Sequence, residues 1–204
     1  MLDESGLRAA IEHLAAREPA FAAVIARAGY PVPRLREPGY ETLLRTIVGQ
    51  QVSTASAAAV WGRLEGLLGK GCAPDALLAQ DYDALRGCGL SRQKQGYARS
   101  LAELVLSKAL DLNALPDDDE TAIAQLVTVK GIGRWSAEIY LLFAEGRPDI
   151  WPAGDLAVQI EIGRLLGLPE RPTEKQTRAL ADGWRPYRGA AAILAWHHYN
   201  ITVL

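Results

Sequence analysis

The chain has 204 residues, of which 49% are hydrophobic, and its formal net charge is −2. This length fits one large domain or two small lobes, and the apolar content excludes a disordered protein. No apolar run reaches membrane-spanning length and the acidic N-terminus is not a secretory signal, so we expect a cytoplasmic protein without membrane partners. The charge gives no sign of overall basicity, so a nucleic-acid site would have to depend on local features.

Apolar residues recur with a helical period along almost the whole chain. Leu7, Ile11 and Leu14 are spaced four and three apart, as on one face of a helix. A second helix is predicted at residues 19–28, before a proline-rich linker at residues 30–39. No segment has a convincing strand pattern, and the sequence therefore predicts an all-α protein of about ten helices.

The next segments contain recognisable helix starts. A helix is predicted at residues 41–48, followed by a break at residues 49–52 and a new helix capped by Ser53. The acidic run at residues 117–120 suits the positive end of a helix dipole, and we interpret it as a solvated helix start rather than a metal site. The remaining helices are predicted at 75–80, 82–86, from Ser91 to about 107, 116–127, 135–144, 156–166, after Thr173, and 186–199.

The two cysteines, Cys72 and Cys88, do not form a CxxC pair. Two cysteines cannot ligate an iron–sulfur cluster, which usually takes four. We predict that both are plain thiols and that the protein has no such cluster. His13, His197 and His198 also lack metal-ligand spacing.

The stretch VKGIG, residues 129–133, joins two predicted helices through a turn with two glycines. Glycine permits a positive φ and a close approach of the backbone to a partner. Ile132 can point into the core, which leaves the N–H groups of the turn and of the next helix facing outward as an anion site. Lys130 and Arg134 add positive charge. The alternative is a tight turn used only for packing.

The order of several motifs resembles a known family. The stretch VKGIGRWSAEIYLLFA followed by WPAGDLAVQ resembles the helix-hairpin-helix DNA glycosylases, in which a Gly/Pro-rich loop and a catalytic aspartate follow the hairpin. Three further stretches match: TIVGQQVS, GLSRQKQGYARSLAEL and WRPYRGAAAILAWH. Within this superfamily the chain is most similar to the alkylation-repair branch, the DNA-3-methyladenine glycosylase II type. The resemblance runs from about residue 39 to residue 198.

The resemblance implies a fold of two helical lobes with the active-site cleft between them. The central lobe would comprise residues 39–145, with the hairpin at 127–134. The N-terminal helices at 1–38 would pack with the C-terminal lobe at 146–204, which carries the catalytic aspartate. The implied activity is base excision repair of double-stranded DNA by a monomeric, prokaryotic, nucleoid-associated enzyme. Its substrates would be alkylated purines such as 3-methyladenine and 7-methylguanine.

The resemblance assigns catalysis to Asp155. Its carboxylate would stabilise the positive, oxocarbenium-like sugar as the glycosidic bond breaks, or orient the attacking water. Asp155 also fits the N-cap of the following helix, and the two roles are compatible. Trp135 and Trp196 match family pocket positions, where a ring face would attract a cationic base, although large aromatics usually belong to the core. Further aromatic candidates without a matching position are Tyr30, Tyr40, Trp151 and Tyr187.

The resemblance also implies how DNA would be held. Lys130, Gly131, Gly133 and Arg134 would grip the backbone, and Gln51 would enter the duplex where the flipped base had been. From the residues alone, Gln51 could equally satisfy backbone groups at a helix break, and this structural role suits Gln50 better. The family further implies a structural Na⁺ or K⁺ on the backbone carbonyls of Val127, Val129 and Gly131.

Two other functions fit the same residues. One is a DNA-binding hairpin module without chemistry, against which Asp155 and Trp135 argue. The other is a glycosylase for deaminated, oxidised or mismatched bases. Strand-nicking relatives carry a lysine two positions after the second glycine, where this chain has Trp135, so we predict a monofunctional hydrolase that uses water as its nucleophile.

Overall fold

In the computed structural model, the backbone is described for residues 1–203 and the side chains for residues 1–201. This part of the chain is built from helices and turns and contains no β-strand, which confirms the predicted all-α class. None of its helices is long and apolar enough to cross a bilayer. The helices are α1 (Glu4–Ala15), α2 (Pro19–Ala28), α3 (Tyr40–Gly49), α4 (Thr54–Leu68), α5 (Pro74–Leu78), α6 (Tyr82–Gly87), α7 (Arg92–Leu106), α8 (Asp119–Leu126), α9 (Arg134–Phe143), α10 (Leu156–Leu165), α11 (Glu174–Leu180) and α12 (Arg188–Val203), with a 3₁₀ turn at Asp182–Trp184.

Two helices begin further along the chain than the prolines predicted to open them. Helix α8 begins at Asp119 rather than near Pro116, since the Asp118 carboxylate accepts the N–H of Thr121 at 2.8 Å. Helix α12 begins at Arg188 rather than Pro186 and extends to Val203, beyond the predicted end near residue 199.

The chain divides into two compact units. One combines Met1–Arg36 with the segment that begins at Leu141, and the other is Glu37–Tyr140. Helix α9 begins in the second unit and ends in the first, so the division falls within a helix rather than in the loop near residue 146.

Helix α7 is the centre of the Glu37–Tyr140 unit and packs against α3, α5 and α6. The buried faces of these helices carry branched aliphatic side chains, among them Leu43, Ile47, Leu77 and Leu101. Each such side chain contributes about 1.5–3 kcal/mol to stability when it leaves water. This core holds α7 in place, and α7 in turn supports the hairpin at residues 129–133.

Helix α12 has the corresponding place in the other unit, where it packs against α1, α2 and α10. Its buried face is rich in alanine, at residues 190–192 and 195, which allows neighbouring backbones to approach closely. Gly189 shows how close: an added Cβ would lie 2.7 Å from Leu142 and 2.8 Å from the carbonyl oxygen of Pro148. A side chain at this position would therefore displace the loop that leads to α10.

A buried polar group joins α10 to α12. Glu161 is fully buried, and its carboxylate lies 2.5 Å from Nδ1 of His198 and 3.0 Å from the guanidinium of Arg164. His197 bonds to the carbonyl oxygen of Ala28 at 2.9 Å. Both histidines thus have hydrogen-bond partners within the fold.

The loop between α9 and α10 is tied to the start of α12 by an ion pair. Asp149 accepts two hydrogen bonds from the Arg188 guanidinium, at 2.9 and 2.8 Å, and a third from the exposed Arg185 at 2.8 Å. Arg188 is only 9% exposed. Hydrogen bonds to charged groups are among the stronger contributions to stability when they are shielded from water.

We expect Arg188→Ala to lower the free energy of unfolding by about 2 kcal/mol, because Asp149 loses its shielded partner. Urea denaturation measures this change. The matched control is Arg185→Ala, which removes an exposed partner of the same carboxylate and should cost less than about 1 kcal/mol. Equal losses in the two variants would show that the shielded pair has no special part in holding the loop.

Candidate active site and nucleic-acid interface

Asp155 lies at the N-terminus of α10 and is half-buried. Its Oδ1 atom accepts the backbone N–H of Val158 at 2.9 Å and the indole N–H of Trp196 at 3.0 Å. The interpretation of Asp155 as an N-cap is therefore confirmed. The same carboxylate also contacts one of the two tryptophans that the sequence singled out for the base pocket.

The short loop before Asp155 is held by its own backbone and by the first turns of α10. The N–H of Asp155 donates to the carbonyl oxygen of Pro152 at 2.9 Å, and the side-chain amide of Gln159 donates to that of Ala153 at 2.8 Å. Ala153 and Gln159 are both buried. The aspartate is thus presented by a backbone with little freedom to move, as a catalytic group requires.

Trp151 is part of this anchorage rather than of a base pocket. It is 2% exposed, its indole N–H donates to the carbonyl oxygen of Thr177 at 3.0 Å, and its ring meets Trp184 edge-on at 5.6 Å. The prediction that Trp151 could stack on a base is wrong, because neither face of a fully packed ring is available to a ligand.

Trp196 is half-buried and fixed from two sides. Its indole nitrogen bonds to Asp155, and its ring lies 5.7 Å from the ring of Phe143 at an interplanar angle of 31°. Phe143 was not singled out from the sequence, since its only signal there is a place in the apolar run of α9. Asp155, Trp196 and Phe143 together form a carboxylate beside two aromatic rings.

Trp135 lies in the first turn of α9, in the Glu37–Tyr140 unit, and 47% of its surface is exposed. It does not belong to the core, which was the ordinary alternative for a residue of this size. Ile139, one turn later on α9, is half-buried.

The hairpin between α8 and α9 has the predicted inward anchor. Ile132 is 4% exposed, and its N–H donates to the carbonyl oxygen of Val129 at 3.0 Å. The N–H of Lys130 donates to the Ser100 hydroxyl on α7 at 3.2 Å, while the Lys130 side chain is exposed. The inner side of the turn is therefore bound to the core, and the opposite side is exposed.

The two glycines of the hairpin have different surroundings. Gly131 has a φ of +83°, and a Cβ there would lie 2.2 Å from the ring of Tyr97, so both conformation and packing exclude a side chain. At Gly133 an added Cβ would meet no atom within 4 Å, and φ is not positive. Neither packing nor a positive φ therefore requires glycine at position 133.

Arg134 is bound within the protein. Its guanidinium nitrogens lie 2.8 and 2.5 Å from the carboxylate of Glu120 and 2.9 Å from that of Glu138. The hydrogen bonds with Glu120 raise the pKa of Arg134 further above its ordinary value. Two carboxylates thus balance the positive charge that the sequence suggested for the hairpin, and Lys130 is left as its exposed cation.

The loop between α3 and α4 carries Gln50 and Gln51 in different environments. Gln51 is exposed with a φ of +55°, and Val52 beside it is 43% exposed. The side-chain amide of Gln50 donates to the carbonyl oxygen of Gly131 at 2.8 Å. The structural interpretation of Gln50 is confirmed, although the group it satisfies belongs to the hairpin. Ser53 caps α4 as predicted, through the N–H of Ser56 at 3.2 Å.

Two of the three carbonyl groups predicted to hold a monovalent cation accept hydrogen bonds within the protein. The oxygen of Val129 accepts the N–H of Ile132, and that of Gly131 accepts the amide of Gln50. A carbonyl oxygen has two lone pairs, so each of these atoms retains capacity for a cation. Within the described residues there is no group of three or more His, Cys, Asp and Glu side chains that could hold a metal ion.

The chain is similar to known proteins in both sequence and structure. Residues 44–186 match the model of the HhH-GPD superfamily base excision DNA repair protein family. DNA-3-methyladenine glycosylase 1 of Schizosaccharomyces pombe is 32% identical over 165 residues, which cover 79% of this chain and 72% of that protein.

Two solved structures are similar throughout their length. The DNA-3-methyladenine glycosidase of Bacillus halodurans superimposes with a TM-score of 0.87 at 30% identity, covering 95% of this chain and 90% of that one. The 3-methyladenine DNA glycosylase of Schizosaccharomyces pombe in complex with abasic DNA has a TM-score of 0.79 at 29% identity, with coverages of 96% and 97%. From the family match and these similarities, we conclude that the chain belongs to the HhH-GPD superfamily of base excision DNA repair proteins.

Proposed function

We propose that this protein is a monofunctional DNA glycosylase that hydrolyses alkylated purines, such as 3-methyladenine and 7-methylguanine, out of double-stranded DNA. The observation that carries the proposal is the hydrogen bond between Asp155 and Trp196. It joins a carboxylate at a helix N-terminus to an aromatic ring that can stack on a base. The names of the relatives and the abasic DNA bound to one of them support the same substrate class.

The reaction does not require a strong general acid. An alkylated purine is already cationic and leaves easily, and the sugar becomes positive as the glycosidic bond lengthens. The Asp155 carboxylate stabilises that charge, and it can orient the water that completes hydrolysis. The indole N–H of Trp196 holds the carboxylate in place, while the ring face attracts the cationic base.

DNA is held mainly through backbone groups. The turn at Gly131–Gly133 and the N-terminus of α9 bind phosphate, and Lys130 adds one positive charge. A monovalent cation on the carbonyls of Val127, Val129 and Gly131 would add another. Gln51 enters the duplex in place of the flipped base. Its backbone has a left-handed conformation, and residues other than glycine in such conformations cluster at functional sites.

Water is the nucleophile. Position 135, where strand-nicking relatives carry a lysine, is tryptophan and cannot form a Schiff base. Lys130 lies on the other side of the turn, and Lys94 lies on α7, where its Nζ donates to the carbonyl oxygen of Val48 at 2.8 Å. The product is therefore an unbroken strand with an abasic site.

The first test is release of free bases from methylated DNA, together with a panel of duplexes that each carry one lesion. We expect release of 3-methyladenine and 7-methylguanine, and no covalent adduct when borohydride is present during turnover. DNA binding without release would favour a hairpin module without chemistry. Preferential release of a deaminated, oxidised or mismatched base would assign another lesion class. A trapped adduct that is lost on mutating one lysine would contradict the water mechanism.

The second test is Asp155→Asn. We expect it to abolish base release while affinity for lesion DNA stays within roughly tenfold, about 1.4 kcal/mol. Asparagine caps helices about as well as aspartate and keeps an oxygen for Trp196, so the fold should be unaffected. Single-turnover kinetics and fluorescence anisotropy measure the two effects, with thermal unfolding as the control. Turnover retained in a folded variant would remove Asp155 from the mechanism.

The third test separates the two hairpin glycines. Gly133→Ala should fold with unchanged stability, because its Cβ meets no neighbour, yet bind damaged and undamaged duplex more weakly, since phosphate contacts do not read sequence. Gly131→Ala is the matched comparison and should destabilise the protein through its positive φ and the Tyr97 ring. Normal DNA binding by Gly133→Ala would mean that the hairpin is only a packing turn.

A further inference from the structure

Gln50 connects two segments that lie far apart in the sequence. Its side-chain amide, half-buried, donates to the carbonyl oxygen of Gly131 at 2.8 Å. One end of this bond belongs to the loop at residues 50–53 and the other to the hairpin at residues 129–133. Both segments have the residues that the proposed function assigns to DNA on their exposed side.

The same two segments are also attached to α7. Lys94 donates to the carbonyl oxygen of Val48, at the end of α3, while Tyr97 fills the space beneath Gly131 and Ser100 accepts the N–H of Lys130. These three residues are spaced three apart on α7, as on one side of a helix. Helix α7 is therefore a common support, and the bond from Gln50 closes the link between the two segments it carries.

The loop needs such a link because its tip is strained and exposed. Gln51 has a φ of +55°, a conformation that residues other than glycine rarely adopt, and residues 51–53 are all exposed. A strained residue keeps its conformation only when the surrounding structure holds it. Gln50 is the adjacent residue, and its amide fixes the loop by a contact outside the loop itself.

We propose that Gln50 is a positioning residue that sets Gln51 at a fixed place relative to the phosphate-binding hairpin, so that gripping the backbone and displacing the base occur together. This proposal rests on the proposed function of the same surface. It assigns no contact with DNA to Gln50. Gln50 acts through its hydrogen bond to the Gly131 carbonyl oxygen. Loss of the amide donor should uncouple base displacement from binding of the DNA backbone, while the hairpin stays folded.

The test compares Gln50→Ala and Gln50→Glu, which remove the donor, with Gln50→Lys, which supplies another. Gln125 is the matched control site, because it is an exposed glutamine on α8, the helix before the hairpin. Substitutions of Gln125 by Ala, Glu and Lys make the same changes of charge and side-chain volume as the Gln50 variants, at a site outside the hydrogen bond between Gln50 and Gly131. The Gln50 results are read against these controls.

Four quantities are measured for each variant, and the first is thermal stability, taken from the unfolding temperature. Hydrogen exchange reports the opening of residues 49–53 and of the hairpin. The fluorescence of a 2-aminopurine at the target position reports base displacement without requiring excision. Anisotropy reports affinity for undamaged duplex. For Gln50→Ala and Gln50→Glu we expect loop exchange to rise and base displacement to fall by about three- to tenfold, the range that one hydrogen bond accounts for. Undamaged-duplex affinity should stay within about twofold of that of the matched control.

Gln50→Lys should recover part of the base displacement relative to Gln125→Lys. Base displacement at the wild-type level in both donor-lacking variants would overturn the proposal. The proposal would also be overturned if the donor-lacking variants lost undamaged-duplex affinity and thermal stability as much as they lost base displacement. Gln50 would then be a residue of the hairpin fold alone. If the wild-type protein releases no base, the proposed glycosylase activity fails, while the exchange and fluorescence measurements still decide the role of Gln50.

Discussion

The carboxylate of Asp155 accepts two hydrogen bonds at one oxygen atom, and the arrangement of the surrounding unit depends on this. One donor is the backbone of α10 and the other is the side chain of Trp196 on α12. A group held by two helices cannot rotate without breaking one of these bonds. The loop before α10 adds to this restraint, since Trp151 and Asp149 bind it to Thr177 and Arg188. The loop and two helices thus restrain the orientation of the Asp155 side chain.

The hairpin, in contrast to Asp155, is restrained on one side only. The protein fixes the inner side of the turn with Ile132, Tyr97 and Ser100. On the exposed side, Lys130 adds a single positive charge beside the backbone groups of the turn. Under the proposed function, such a backbone surface would bind phosphate without reading the base sequence. Such a surface is compatible with the small negative net charge, which at first argued against nucleic acid.

The sequence predicted what depends on neighbouring residues. The caps at Ser53, Ser91, Thr173 and Asp155 follow from residue type beside a helical pattern, and the glycine turn follows from the two helices around it. The class of fold follows from the period of the apolar residues. These features are encoded over three or four residues, so one sequence is enough to find them.

The contacts that complete the site are of another kind. The partners Gln50 and Gly131, or Asp155 and Trp196, are distant in the chain, and no local pattern indicates that they meet. The same holds for Trp151, whose residue type fits a base pocket as well as a core, and whose burial depends on the position of Trp184. Long-range pairing of this sort is decided by how helices pack, which composition and period do not specify.

The pairing of Arg134 with Glu120 and Glu138 has a consequence for how the protein would meet DNA. A cation that touches phosphate normally releases counterions, and the affinity then falls steeply as salt is added. Arg134 already has two carboxylates as counterions within the protein, so its approach to a phosphate would release few ions. Affinity that comes from neutral N–H groups and one lysine would change little over the physiological range of ionic strength. Long-range attraction to DNA would be correspondingly weak, and encounters would be governed by contact rather than by the field around the duplex.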